Sequence, residues 1–246
     1  MSQESGGVGG ALKELAIIVV GALVASTLLR LFLLQVFAIP SGSMETTLSV
    51  GDRVAVQKVQ PFQRGDIVVF RDDLEWLGNP DRFRTPAWKE ALVFVGLMPD
   101  ESERYLVKRV IGTEGDRVAC CDAEGRVTVN GAPLDEDPYL HHINGVQVPA
   151  SRSPFDVVVP AGRLFVMGDN RSNSADSRCH LTDASAGVAG MGAFPRADAV
   201  VGTPLATVYP FDRWRAFAVP ETFAAVPGAA APAPAKPVFH EPAGNC

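Results

Sequence analysis

Leu15 to Leu29 reads LAIIVVGALVASTLL and carries no charge; continuing to Leu34 adds only Arg30. Twenty residues of helix, at about 1.5 Å each, reach roughly 30 Å, the hydrocarbon thickness of a bilayer. A cleaved leader is the rival reading. The run is longer than the usual apolar region of about 7–15 residues, and no A-x-A site ends it. A retained anchor is therefore expected over residues 14–37, with Arg30 near its end reaching for the headgroups. Residues 1–13 are then a short N-terminus. Lys13 and the amino group face Glu4 and Glu14 there, so the positive-inside signal is weak. A short N-terminus stays most simply in the cytoplasm. That predicts a single-pass protein of the cell membrane with the rest of the chain on the outer face.

The chain has 246 residues, enough to bury a sizeable core beyond the anchor. With 47% hydrophobic and 20% charged residues, wholesale disorder is excluded. A net charge of −6 offers no basic face, so no nucleic acid partner is expected. After Pro40 the pattern turns to short strands. Arg53–Val59 alternates, and apolar runs follow at Ile67–Phe70, Lys108–Ile111, Arg126–Val129, Val157–Val159, Leu164–Met167 and Leu205–Tyr209. Asn130-Gly131 is a tight-turn signal. The fold class that follows is mainly β: an N-terminal transmembrane helix, then a β-rich extracytoplasmic domain over 38–218. Residues 71–104 read as an insertion between core strands, with a short helix near Trp88–Leu97. Six of the 19 prolines fall in residues 220–246. That composition predicts a flexible tail over 219–246.

Chemistry is harder to place. The four histidines (His141, His142, His180, His240) sit in no Ser-His-Asp context, and G-x-S-x-G, H-E-x-x-H, the P-loop and G-x-G-x-x-G are all absent. No metal or cofactor is expected. Cys120, Cys121, Cys179 and His180 match no standard zinc spacing. In an oxidising compartment Cys179 could pair with Cys120 or Cys121, whereas adjacent cysteines rarely bond each other because the ring is strained. Three segments remain. IPSGSMETTL at 39–48 follows the anchor directly. YLVKRVIGTEGDRV at 105–118 places Lys108 on one face of an apolar strand and Arg109 on the other. A lysine held in apolar surroundings loses its charge more easily and can act as a base. MGDNRSNSADSR at 167–178 is dense in groups that hydrogen-bond locally. A serine nucleophile without a histidine needs another base, and a neutral lysine is the known kind of substitute.

With RGDIVVF at 64–70, these segments resemble, in order, the bacterial type I signal peptidases. These are membrane-anchored Ser-Lys proteases that remove signal peptides from exported preproteins. The resemblance covers about 15–70 and 105–210. It implies Ser43 as nucleophile and Lys108 as general base, with the Ser43 N–H and the Ser41 hydroxyl holding the oxyanion. Ser174 matches the serine that orients the lysine. Asp169, Arg171, Asp176 and Arg178 match residues that brace the site. Ile39, Pro40 and Met44, with Leu106 and Val107 opposite, would hold the signal peptide as an added strand and select small side chains at −1 and −3. Cys121–Cys179 is a candidate disulfide, with Cys120 as the alternative partner of Cys179. The partners implied are signal peptides of preproteins, the lipid bilayer and the nearby export machinery; no cofactor is implied. From Leu34 to Ser43 is nine residues, at most about 32 Å, so the nucleophile works close to the bilayer, where cleavage sites emerge. The sequence departs from many relatives at Ser172, where they carry an acidic residue, and in the 71–104 insertion. A self-cleaving repressor of the same chemistry would need a cytosolic chain and a DNA-binding domain. An inactive scaffolding paralogue would be expected to have lost the nucleophile or base. A secreted β domain would need the leader removed.

Overall fold

A computed structural model describes residues 8–78 and 104–241. Helix α1 runs Val8–Phe32. Its stretch Gly10–Leu28 is long and apolar enough to cross a membrane, and none of it is buried by the rest of the chain. The helix ends earlier than the 14–37 anchor expected from the sequence. Leu34–Ala38 is instead strand β1, paired antiparallel with β2 (Arg53–Gln57) from Leu34↔Gln57 to Ala38↔Arg53. The alternating VFA of β1 buries Phe37 while Val36 stays exposed, which suits a half-buried strand better than another helical turn.

The remaining strands are β3 (Ile67–Arg71), β4 (Tyr105–Gly112), β5 (Arg117–Cys120), β6 (Val127–Val129), β7 (Ala132–Pro133), β8 (His142–Ile143), β9 (Val146–Gln147), β10 (Phe155–Val158), β11 (Phe165–Met167), β12 (Val200–Tyr209), β13 (Arg215–Ala216) and β14 (Val238–Phe239). They form a seven-stranded sheet in the order β1-β2-β12-β3-β4-β11, with β13 beside β12. A five-stranded sheet runs β14-β10-β5-β6-β7, and β8-β9 is a small hairpin. The described chain is mainly β apart from α1, as expected. Each apolar run marked in the sequence overlaps a strand. Asn130 and Gly131 both take positive φ in the β6–β7 turn.

One core lies under the five-stranded sheet and includes Ile111, Val118, Val129, Phe155, Phe165 and Phe194. A second joins Phe37, Ile39, Met44, Leu48, Val54, Val56, Ile67 and Val69. The turn between β4 and β5 is knotted to the RGD segment. Asp116 accepts from the backbone and hydroxyl of Thr113 at 2.8 and 2.9 Å and takes a bidentate pair from Arg64 at 2.7 and 2.8 Å. Asn130 Nδ2 adds a bond at 2.8 Å. The two motifs thus meet at one buried carboxylate.

Three expectations need correction or placement. Residues 219–241 are not a loose tail. Phe223 is only 5% exposed, packs in the main core and lies over Gly65. Arg64 and Asn130 donate to the Val226 and Pro227 carbonyls, Ala161 N–H to Pro234 O at 2.8 Å, and His240 N–H to Asp156 O at 2.8 Å. Val238 and Phe239 add β14 to β10. Alanine and proline lose almost no side-chain entropy on ordering, so a few anchors suffice. Phe223→Ala should therefore cost about 2–4 kcal/mol in urea unfolding; an unchanged midpoint would show the strap to be dispensable. The disulfide is also corrected: Cys120 is bonded to Cys121, not Cys121 to Cys179. Most of the 71–104 insertion, including the helix expected near Trp88–Leu97, lies outside the described residues.

Candidate active site

The chain leaves β1 extended through Ser41 (φ −137°, ψ 157°) and turns in a single 3-10 turn, Gly42–Met44. Met44 is 1% exposed and plugs the second core beneath the turn, which holds Ser43 in place above it. From β4, Lys108 reaches the same point. Its Nζ lies 2.6 Å from Ser43 Oγ, and the lysine is only 3% exposed. Burial drives the Lys108 ammonium down to about 8; the carboxylates of Asp176 and Asp169 oppose this, and the Arg178 cation reinforces it. Ser41 Oγ stands 3.5 Å from Ser43 Oγ.

Period-two geometry sends Arg109 to the opposite face, as expected. There it grips Asp169 with two bonds, at 2.9 and 2.6 Å, and donates to Gly65 O at 2.7 Å. Thr47 Oγ1 donates to Asp169 Oδ2 at 2.5 Å. The Tyr139 ring covers the Arg109 guanidinium at 4.2 Å. One carboxylate thereby ties the 39–48 segment, strand β4 and the 167–178 loop together. The loop itself folds on two further pairs. Arg171 binds Glu136 at 2.5 and 3.0 Å, and Arg178 binds Asp176 at 2.9 and 2.8 Å. Burial alone would raise Asp176, but Arg178 and the bonds from Gly168 N–H and Ser174 hold it below its ordinary value.

Gly168 makes the close approach feasible. A Cβ there would fall on Ser174 Oγ and within 2.5 Å of the Ser43 carbonyl. That carbonyl accepts from Asn170 N–H at 3.0 Å. Ser174 donates to Asp176 Oδ2 at 2.7 Å rather than to Lys108, so the direct contact to the lysine implied by the resemblance is not made here. Ile39 and Met44 bury their side chains in the core, and Ile39 spends its N–H on Asp52 and its carbonyl on Gly51. Pro40 is exposed; Leu106 and Val107 are partly buried. Strand β11 pairs with β4 only from Arg109 to Gly112. The Tyr105–Lys108 stretch therefore has no strand neighbour on that edge among the described residues. Thr47, Glu136, Tyr139 and Asn170 were not singled out by the sequence. Only Arg109, a second charge inside an apolar strand, left a signal there.

No group of three or more histidine, cysteine or acidic residues is arranged to hold a metal among the described residues. A serine hydroxyl against a buried amine, on a β scaffold, is the equipment of a hydrolase. The family model for signal peptidases, peptidase S26, matches residues 12–209, and the chain belongs to this family of serine peptidases. It is 38% identical to the signal peptidase I of Mycobacterium tuberculosis over 82% of this chain and 74% of that one. It is 32% identical to signal peptidase I U of Bacillus subtilis over 82% and 88%. A crystal structure of a signal peptidase I from Enterococcus faecalis V583 is also similar, at 21% identity and a TM-score of 0.34, covering 59% of this chain and 97% of that one.

Proposed function

We propose that this chain is a membrane-anchored endopeptidase that cuts signal peptides from preproteins with Ser43 as nucleophile and Lys108 as base. The observation that carries this reading is the 2.6 Å contact between Lys108 Nζ and Ser43 Oγ inside a buried site. In its neutral form Lys108 accepts the Ser43 proton as Oγ attacks the scissile carbonyl carbon. The oxyanion sits between the Ser43 N–H and the Ser41 hydroxyl. Collapse breaks the C–N bond, and the departing amine takes the proton back from Lys108. Water then attacks the acyl-enzyme, giving one proton to Lys108, which returns it to Ser43. Ser174 acts on the lysine through Asp176, whose charge it helps to fix. Asp169, Arg171 and Arg178 hold the surrounding loop.

Among the described residues the Tyr105–Lys108 edge of β4 has no strand neighbour on its β11 side and ends at Lys108, whose Nζ meets Ser43 Oγ, which leaves an extended peptide a strand position to occupy beside the nucleophile. Small residues at −1 and −3 are selected because Ile39, Met44 and Val107 already pack together in one filled cluster, while Leu106 turns to the other face of β4. Helix α1 carries no charge from Leu15 to Leu29, and its Gly10–Leu28 stretch is not buried by the rest of the chain, which suits a bilayer span. Its cytoplasmic N-terminus would put the catalytic domain on the outer face beside the export machinery.

The test is cleavage of a preprotein by the detergent-solubilised full chain. Cutting after an A-x-A site, with Ser43→Ala lowering the rate by at least about 10³-fold, is the expected result. A Ser43→Ala protein with wild-type rate would remove Ser43 from the mechanism.

A further inference from the structure

The nucleophile segment carries a carboxylate that the cleavage steps do not use. Glu45 closes the Gly42–Met44 turn with an N–H bond to Gly42 O at 3.1 Å. Its side chain folds back over Gly42. A Cβ on Gly42 would lie 2.8 Å from the carboxyl carbon and Oε1, so the glycine leaves the carboxylate its place. Asn170 Nδ2 donates to Glu45 Oε2 at 3.2 Å, while Asn170 N–H holds the Ser43 carbonyl. Ser172 Oγ bonds Asn170 Oδ1 at 3.0 Å, which fixes the amide's orientation. Glu45 is half-buried, and no cation pairs with it among the described residues. Arg215 spends its guanidinium on the Thr46 and Thr47 carbonyls, and His141 meets the Thr46 hydroxyl. The site thus keeps a positioned, unneutralised negative charge two residues beyond the nucleophile.

Direction along the segment gives this charge its meaning. With the signal-peptide half on residues 39–41 and 105–107, the chain beyond the scissile bond cannot continue along β4, whose edge β11 takes from Arg109 on; Asn170, on the Ser43 carbonyl, and the Glu45 it holds are the polar groups next to the nucleophile on the remaining side. We propose that Glu45 is a specificity-determining carboxylate for that departing half. It favours cationic side chains in the first residues after the cut and disfavours acidic ones. The inference rests on the Ser43–Lys108 reading.

The measurement is kcat/KM of the detergent-solubilised full chain on three peptides. They share an A-x-A site and differ only in Lys, Gln or Asp at the second residue after the cut. At low salt a charge pair separated by several ångströms near the surface predicts a Lys-to-Asp ratio of roughly tenfold. Using the ratio cancels any general loss of activity in a variant. Glu45→Gln should bring it to within about twofold of unity and Glu45→Lys should invert it. In wild type the ratio should shrink as salt rises from about 0.02 to 0.5 M. A ratio that persists in Glu45→Gln, is absent in wild type, or ignores salt would overturn the assignment. Failure of wild type to cut any of the three would instead overturn the dyad reading beneath it.

Discussion

Lys108→Met should lower cleavage by at least about 10³-fold at every pH, the scale on which losing one member of a nucleophile–base set is felt. Methionine keeps most of the lysine's length and volume and removes a buried charge, so the fold is retained or gains stability. Lys108→Arg should be as inactive, because a guanidinium does not give up its proton in the working range. In wild type the base must be neutral, so activity rises with pH as Lys108 loses its proton. The kcat/KM profile, which reports the free enzyme, should be half-maximal near pH 8. By the titration curve it should stand at roughly a tenth of its plateau at pH 7 and nine-tenths at pH 9. Stability follows the same titration. Between pH 8 and the unperturbed value of 10.5 the unfolded chain binds more protons at this site than the folded one. Stability therefore rises with pH through that window, and the gain should vanish in Lys108→Met. A profile centred near 10, or full activity in Lys108→Met, would remove the lysine from the role of base.

The sequence shows this site unevenly, and the reasons are physical. Ser43 and Lys108 are legible because each breaks a local rule: a polar turn fixed directly to an apolar anchor, and a charge within an apolar strand. Arg109 breaks the same rule, yet its partner Asp169 lies sixty residues away and nothing local names it. Glu136 is less legible still. It sits in a polar loop where an acidic residue is ordinary, and only the fold brings it to Arg171 in a buried pair. The strand positions were readable from alternation; the sheet order, which lets β12 bridge β2 and β3, was not. At β12 the bridge depends on Gly202, where a Cβ would collide with the Gln57 carbonyl. Composition misjudged the C-terminal strap because it weighs what a segment buries by itself. Phe223 and β14 bury against surfaces supplied by the rest of the chain.

Asp169 is where the largest stability effect should fall. Its carboxylate is fully buried and balances Arg109, which is 3% exposed. Burial acts against the Arg109 charge, and the Asp169 carboxylate more than restores it. Asp169→Ala leaves that guanidinium in a dry site and strands the Thr47 hydroxyl as well. Removing one partner of a buried ion pair typically costs about 3–5 kcal/mol. Chemical denaturation should move to a much lower midpoint, and activity should fall with it, since the Ser43 carbonyl and Lys108 lose the tie that holds their segments together. A double replacement separates the two effects. Arg109→Met with Asp169→Leu removes both charges and should recover most of the lost stability, because well-packed apolar side chains often match a buried pair. It should recover much less activity, since no carboxylate then links the turn, β4 and the 167–178 loop. If stability and activity returned together, the pair would serve the fold alone. If neither returned, the bonds to Thr47 and Gly65 would outweigh the charge balance, and the site's rigidity would rest on hydrogen-bond geometry rather than on neutralising Arg109.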